Sequence, residues 1–190
     1  MNLDFRTMDS KPFMELFPAI VPLDLINHRV VLSTGKTFDV SRSLRSSEFP
    51  IKRPSYETAH PADLSTFGPT TLAPLGKIVH ARSGDKADNL NIGFFVRHED
   101  EYPWLQSFLT VQKVQELFGE DWTCGSKGKQ PLIERCEFPG ILAVHFRVLD
   151  FLGGGIASSS RIDGLGKVVG EFLRSRVVLL PDRFLERGAI

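Results

Sequence analysis

The sequence predicts an α+β fold in which two helices lie on one face of a four-stranded sheet, in the order βαββαβ, with an extra N-terminal hairpin strand and a proline-rich wrapping arm. Two observations carry this expectation. From Leu75 to Leu180 the apolar residues alternate with period two in some stretches and recur at i, i+3, i+4 in others. Residues 1–70 keep neither period. There Pro12, Pro18, Pro22, Pro50, Pro54, Pro61 and Pro69 each remove a backbone donor and push the preceding residue toward extended geometry. The chain is therefore expected to divide into an arm, residues 1–70, and a folded domain, residues 71–190.

Within the arm, Arg29–Leu32 and Thr37–Val40 flank Ser33-Thr34-Gly35-Lys36 and read as a small hairpin. Phe13, Phe17, Ile20 and Val21 are the expected anchors by which the arm lies on a surface. In the domain, Lys77–Arg82 and Ile92–Arg97 read as strands on either side of a polar loop. Pro103 suits the first turn of a helix that runs to Phe118, with Val111, Val114, Leu117 and Phe118 on one face, and Gly119 stops it. Leu132–Glu137 and Ile141–Leu149 are strands joined by Phe138-Pro139-Gly140. Leu165, Val168, Val169, Phe172 and Leu173 then recur at helical spacing behind Asp163, a capping residue, and Arg176–Leu180 makes a last strand. Starting at Ile92, this order is the split pattern of a ferredoxin-like sandwich, with Lys77–Arg82 added.

Strand alternation separates two faces. Ile92, Phe94, Val96, Leu142, Val144, Phe146 and Val148 form an apolar set to be packed beneath the helices. The opposite set mixes Ile78, His80, Arg82, Phe95, Arg97, His145 and Arg147. Two helices cover only one face, so the mixed face is expected to meet the arm, a second subunit or a ligand. Ile78 and Phe95 on it predict a homo-oligomer, a homodimer or larger.

Composition narrows the function classes. The chain has 190 residues, 23 Lys plus Arg, and 23 Asp plus Glu, so no basic excess points to nucleic acid. Cys124 and Cys136 are too few for a disulfide scaffold and lack zinc spacing, which fits a reducing, cytoplasmic setting. No apolar run is long enough for a signal peptide or membrane span. The 15 Phe stand against 2 Tyr and 2 Trp, supplying wide apolar surface for a core or a hydrocarbon pocket.

Two polar segments hold the candidate site residues. Ser83-Gly84-Asp85-Lys86-Ala87-Asp88-Asn89 sets a cation, two carboxylates and an amide in one stretch. Lys86 is suited to orient an anion or carbonyl oxygen, and Asp85 or Asp88 to move a proton if desolvated. The same carboxylates also suit the capping of backbone donors in a solvated loop. Gly153-Gly154-Gly155 followed by Ser158-Ser159-Ser160-Arg161 suits an anion cradle or a flexible connection, and lacks the order of nucleotide-binding glycine motifs. The expected catalytic residues are Lys86, Asp85, Asp88 and His145. The expected substrate-binding residues are His80, Arg82, Asn89, Asn91, Phe95, Arg147, Ser159 and Arg161, with no metal and no cofactor.

Ala81–Phe95 and Leu152–Gly164, as written in this sequence, resemble the C-terminal domain of the acyclic terpene utilisation (AtuA-like) family. The resemblance is detailed from Leu75 to Pro181 and looser over Lys11 to Phe67. It implies a ferredoxin-like domain of the fungal type without the large N-terminal domain of longer relatives. It also implies glycine where this chain has Ala87, a substitution that reshapes or strains the turn if positive φ is required. Two functions follow from the resemblance. One is a small cofactor-free enzyme of terpenoid or secondary metabolism, performing an isomerisation, cyclisation or pericyclic step on an apolar, isoprenoid-like molecule in a Phe-lined pocket. The other is a noncatalytic accessory or oligomerisation domain, with a separate large AtuA-like protein as a possible partner.

Overall fold

The computed structural model describes residues 19–41, 45, 47–48, 53–122, 128 and 130–188. The chain divides into two compact units, Met1–Lys52 and Arg53–Ile190. In the first, β1 (Arg29–Val31) pairs antiparallel with β2 (Thr37–Asp39), the hairpin that the Gly35 turn predicts. Ile20 and Val21 are exposed, and Phe13 and Phe17 lie outside the described residues.

The second unit is built on a four-stranded antiparallel sheet. Its strands are β4 (His80–Lys86), β5 (Asn89–Phe95), β6 (Ile133–Phe138) and β7 (Ala143–Val148), in the order β4-β5-β7-β6. Two helices follow β5, α1 (Tyr102–Phe108) and α2 (Val111–Phe118), and a third, α3 (Val169–Arg174), follows β7. As the alternation requires, Ile92, Phe94, Val96, Val144, Phe146 and Val148 are buried, together with Trp104, Leu105, Val114 and Leu173 from the helices. Phe94 and Phe146 meet edge to face at 5.9 Å across the β5–β7 pair. The fold is α+β and ferredoxin-like.

Six features depart from the sequence reading. The strand expected to close the sheet is β8 (Val177–Pro181), and it pairs instead with β3 (Thr70–Pro74) in a separate two-stranded ribbon. The hairpin strand β4 takes the edge position beside β5. A tight β4–β5 turn makes that pairing the most local one available to β5. Ile78 ends a 3-10 turn that starts at Leu75 and is buried, so it does not belong to the bare sheet face.

The polar loop 83–89 is mostly ladder. Ser83 pairs with Ile92, Asp85 with Leu90 and Lys86 with Asn89, leaving Ala87 and Asp88 as the turn. The expected long helix also breaks, at Leu109 and Thr110. Thr110 caps α2 by accepting from the Lys113 N–H at 3.0 Å, and Glu57 accepts from the Val111 N–H at 2.8 Å. The second expected helix is shorter than its periodicity. Asp163 accepts from the N–H groups of Lys167 and Val168 at 2.9 and 2.8 Å, and α3 begins at Val169.

Candidate functional site

The turn between β4 and β5 and the triple-glycine segment after β7 form one joint. Ala87 has a φ of +55°, and Asp88 beside it does not share that sign. Positive φ at the first central residue alone is the φ pattern of a turn that ordinarily carries glycine there. Gly155 packs on the Ala87 backbone, where a Cβ would lie 3.3 Å from its carbonyl. Asp88 accepts from the Gly154 N–H at 2.7 Å, and its carbonyl accepts from the Leu152 N–H at 2.9 Å. Asn89 accepts from the Asp150 N–H at 3.0 Å. The glycine segment thus takes a carboxylate of its own chain through a single N–H, that of Gly154.

Around this joint the other polar residues of the segment diverge. Asp85 faces the helices and lies 3.8 Å from the Lys167 ammonium. Lys86 is exposed on the far side and donates to the Asp85 carbonyl at 2.9 Å. Ser159 accepts from the Arg161 N–H at 3.2 Å and closes a turn on Gly155.

The second cluster lies on the uncovered side of the sheet. Here the cross-strand register sets Arg82, Gly93, His145 and Cys136 in one row, and Gly84, Asn91, Arg147 and Glu134 in the next. Arg147 binds Glu134 at 2.7 Å. His80 stacks on Phe95 with ring centroids 5.0 Å apart, and Phe138 meets His145 edge-on at 6.1 Å. Burial holds the His145 pKa below the ordinary histidine value, assisted by the charges of Arg147 and Lys86. Burial does the same for His80, with Arg174 and Arg97. The Cys136 thiol is 3.9 Å from His145 Nδ1, and burial pushes its pKa up. Both directions favour the neutral forms of the pair.

A third site was not assembled from the sequence. Phe118, Phe151 and Phe172 line a groove of about 540 Å³ between the end of α2, residues 160–163 and α3. Trp122 stacks on Phe151 at 6.0 Å and tilts against Phe118 at 5.3 Å. The Arg161 guanidinium sits 4.2 Å above the Phe151 ring, and that of Arg176 sits 4.1 Å above Phe172. Ile162 and Val168 stand exposed at the rim. The volume suits a small ligand, and the lining is mainly apolar, with Arg161, Asp121, Asp163 and Ser160 as its polar members.

The structure therefore divides the predicted site residues. His80, Arg82, Lys86, Asn91, Phe95, His145 and Arg147 share the outer sheet face, with Asn89 at its end. Asp88 and Ser159 hold turns, Asp85 faces the helix side, and Arg161 alone reaches the aromatic groove. Residues the sequence reading missed include Glu134, Cys136 and Phe138, which join the sheet face through β6. The excess of phenylalanine was the one signal of the groove.

Arg135 was missed as well, and it organises the break between α1 and α2. It is buried against the helix side. Its guanidinium donates to the carbonyls of Leu109, Gln106 and Tyr56, each at 2.9 Å, and to Glu137 at 2.8 Å.

A four-stranded antiparallel sheet with helices on one side and a clamped β4–β5 turn defines a ferredoxin-like domain. Residues 73–178, more than half of the chain, match the family described as AtuA ferredoxin-like domain, and the chain belongs to that family. No curated protein and no solved structure matches it. Among the described residues no helix is long and apolar enough to cross a membrane.

Proposed function

We propose that this domain binds an apolar, isoprenoid-like small molecule in the groove walled by Phe118, Phe151 and Phe172, and acts there as a small enzyme of terpenoid metabolism. The observation that carries the reading is an aromatic cluster open to a groove of about 540 Å³ beneath Arg161. Aromatic faces attract positive charge, and two of these rings already hold guanidinium groups at 4.2 and 4.1 Å. Asp163, at the groove edge, has both carboxylate oxygens engaged by backbone N–H groups. The site therefore works by orienting its ligand and by placing Arg161 near an oxygen function.

Trp122 packs on Phe118 and Phe151, two of the groove's walls, and senses occupancy through them. Titration with farnesol is expected to change its fluorescence saturably, Trp122→Phe to remove the response, and Arg161→Ala to weaken binding with the melting temperature unchanged. Absence of saturable farnesol binding by calorimetry overturns the reading. Product analysis after incubation then separates binding from turnover.

A noncatalytic accessory role is favoured by a different observation. The β3–β8 ribbon exposes Leu72 (66%), Val177 (61%) and Leu179 (56%), with Leu72 and Leu179 directly paired. This apolar strip, rather than a face containing Ile78, is where an oligomer contact belongs. Light scattering at micromolar concentration decides it: a multiple of the chain mass that Leu179→Lys reduces to one supports the accessory reading.

A further inference from the structure

The neutral composition conceals a segregated charge on the bare side of the four-stranded sheet. Arg82, Lys86 and Arg147 lie on that side. Among the described residues of the four strands, Glu134 is the one carboxylate there, and Arg147 already holds it at 2.7 Å. The balancing acids lie elsewhere: Asp85 and Glu137 face the helices, and Glu116, Glu120 and Asp121 surround the end of α2.

The same face presents rings. Phe95 on the central strand β5 is 37% exposed and stacks with His80 at an interplanar angle of 18°. Phe138 is exposed on β6. Gly93 puts no side chain between Arg82 and His145, so the middle of the face stays low. Two polar atoms there are buried without a partner, Asn91 Oδ1 and Arg147 Nε, an acceptor and a donor on directly paired residues.

Exposed cations and an exposed ring on a central strand, together on one surface, match the needs of a single chemistry. A single-stranded nucleic acid carries a polyanionic backbone and unpaired bases with free faces. A duplex offers the charge but keeps its base faces stacked inside. An acidic protein segment would use the cations and leave the ring idle. We propose that this uncovered face binds single-stranded nucleic acid, with a base stacked on Phe95 and the phosphates held by Arg82 and Lys86. This inference is independent of the aromatic groove, which lies on the helix side.

The test is fluorescence anisotropy of the full chain with labelled oligouridine and oligodeoxythymidine of equal length. Saturable binding is expected, with log affinity falling against log salt with a slope of about −1.4, since each of two phosphate contacts to a single strand contributes about −0.7. Phe95→Ala is expected to weaken binding about fivefold or more while leaving the slope unchanged, because stacking is not a charge effect. Lys86→Glu, an exposed change that does not threaten the fold, is expected to weaken binding and make the slope shallower. Preference for one of the two oligomers identifies RNA or DNA as the better ligand, and both support the proposal. Absence of binding at about 50 mM salt overturns it. So does binding that Phe95→Ala leaves unaltered in a variant that melts normally. Equal affinity for polyglutamate also overturns it and marks the face as a surface for acidic protein.

Discussion

Replacing Arg135 by methionine tests whether tertiary contacts create the break between α1 and α2. The guanidinium is fully buried and satisfies three backbone carbonyls, those of Leu109, Gln106 and Tyr56, besides the carboxylates of Glu137 at 2.8 Å and Glu57 at 3.2 Å. Methionine fills much of the volume and supplies no donor. Each buried acceptor left unsatisfied costs about 1 kcal/mol or more. Glu137, whose side chain is only 12% exposed, would also be left as an uncompensated charge. Breaking one side of such a buried pair typically costs about 3–5 kcal/mol, and that total is expected here. Urea denaturation should show a lower midpoint at unchanged slope. Glu137→Gln in the Arg135→Met background should return part of the loss, because it neutralises the stranded charge. A loss below about 1 kcal/mol for Arg135→Met would refute the assignment of Arg135 as the pin of this break.

Three shorter predictions follow from the turn and the sheet face. Ala87→Gly relieves a non-glycine φ of +55°, where the penalty is about 1–2 kcal/mol, and loses part of that gain to the greater freedom of the unfolded chain. A higher melting temperature is expected, and a lower one would show that the turn is not strained. Asp88→Ala removes the acceptor for the Gly154 N–H and should cost about 1 kcal/mol, whereas Lys86→Ala should alter stability by less than about 0.5 kcal/mol. Equal effects in the two variants would contradict the clamp. His145 binds its proton less readily in the folded chain than in the unfolded one, so its contribution to stability is present above about pH 6.5 and lost as pH falls through the lowered folded value. NMR titration of the His145 ring checks the direction, and a midpoint at or above the free-histidine value would exclude it.

Much of the fold was legible because period is a local property. Ile92, Phe94 and Val96 against Val144, Phe146 and Val148 announce strands with one buried face, and Pro103 and Gly119 bracket helical sequence by their backbone chemistry. The hairpin at Gly35 and the turn at Pro139 were legible for the same reason. The candidate site was less so. Side chains such as Asp85 and Lys86 are adjacent in sequence and fall on opposite faces of one strand, so a polar run that reads as one cluster becomes two.

By itself the sequence determined the α+β class, the apolar face beneath the helices, and the family through Ala81–Phe95 and Leu152–Gly164. Tertiary structure alone decided which strands pair. Residues 177–181 carry the same alternation whether they join β5 or β3, and only the competition for an edge already held by β4 sends them to β3. It also decided that the Asp88 carboxylate clamps the glycine segment through the Gly154 N–H, and that Phe118, Phe151 and Phe172 converge on one groove. Those contacts join residues far apart along the chain, and no local period encodes a distance between two segments that fold separately and then meet.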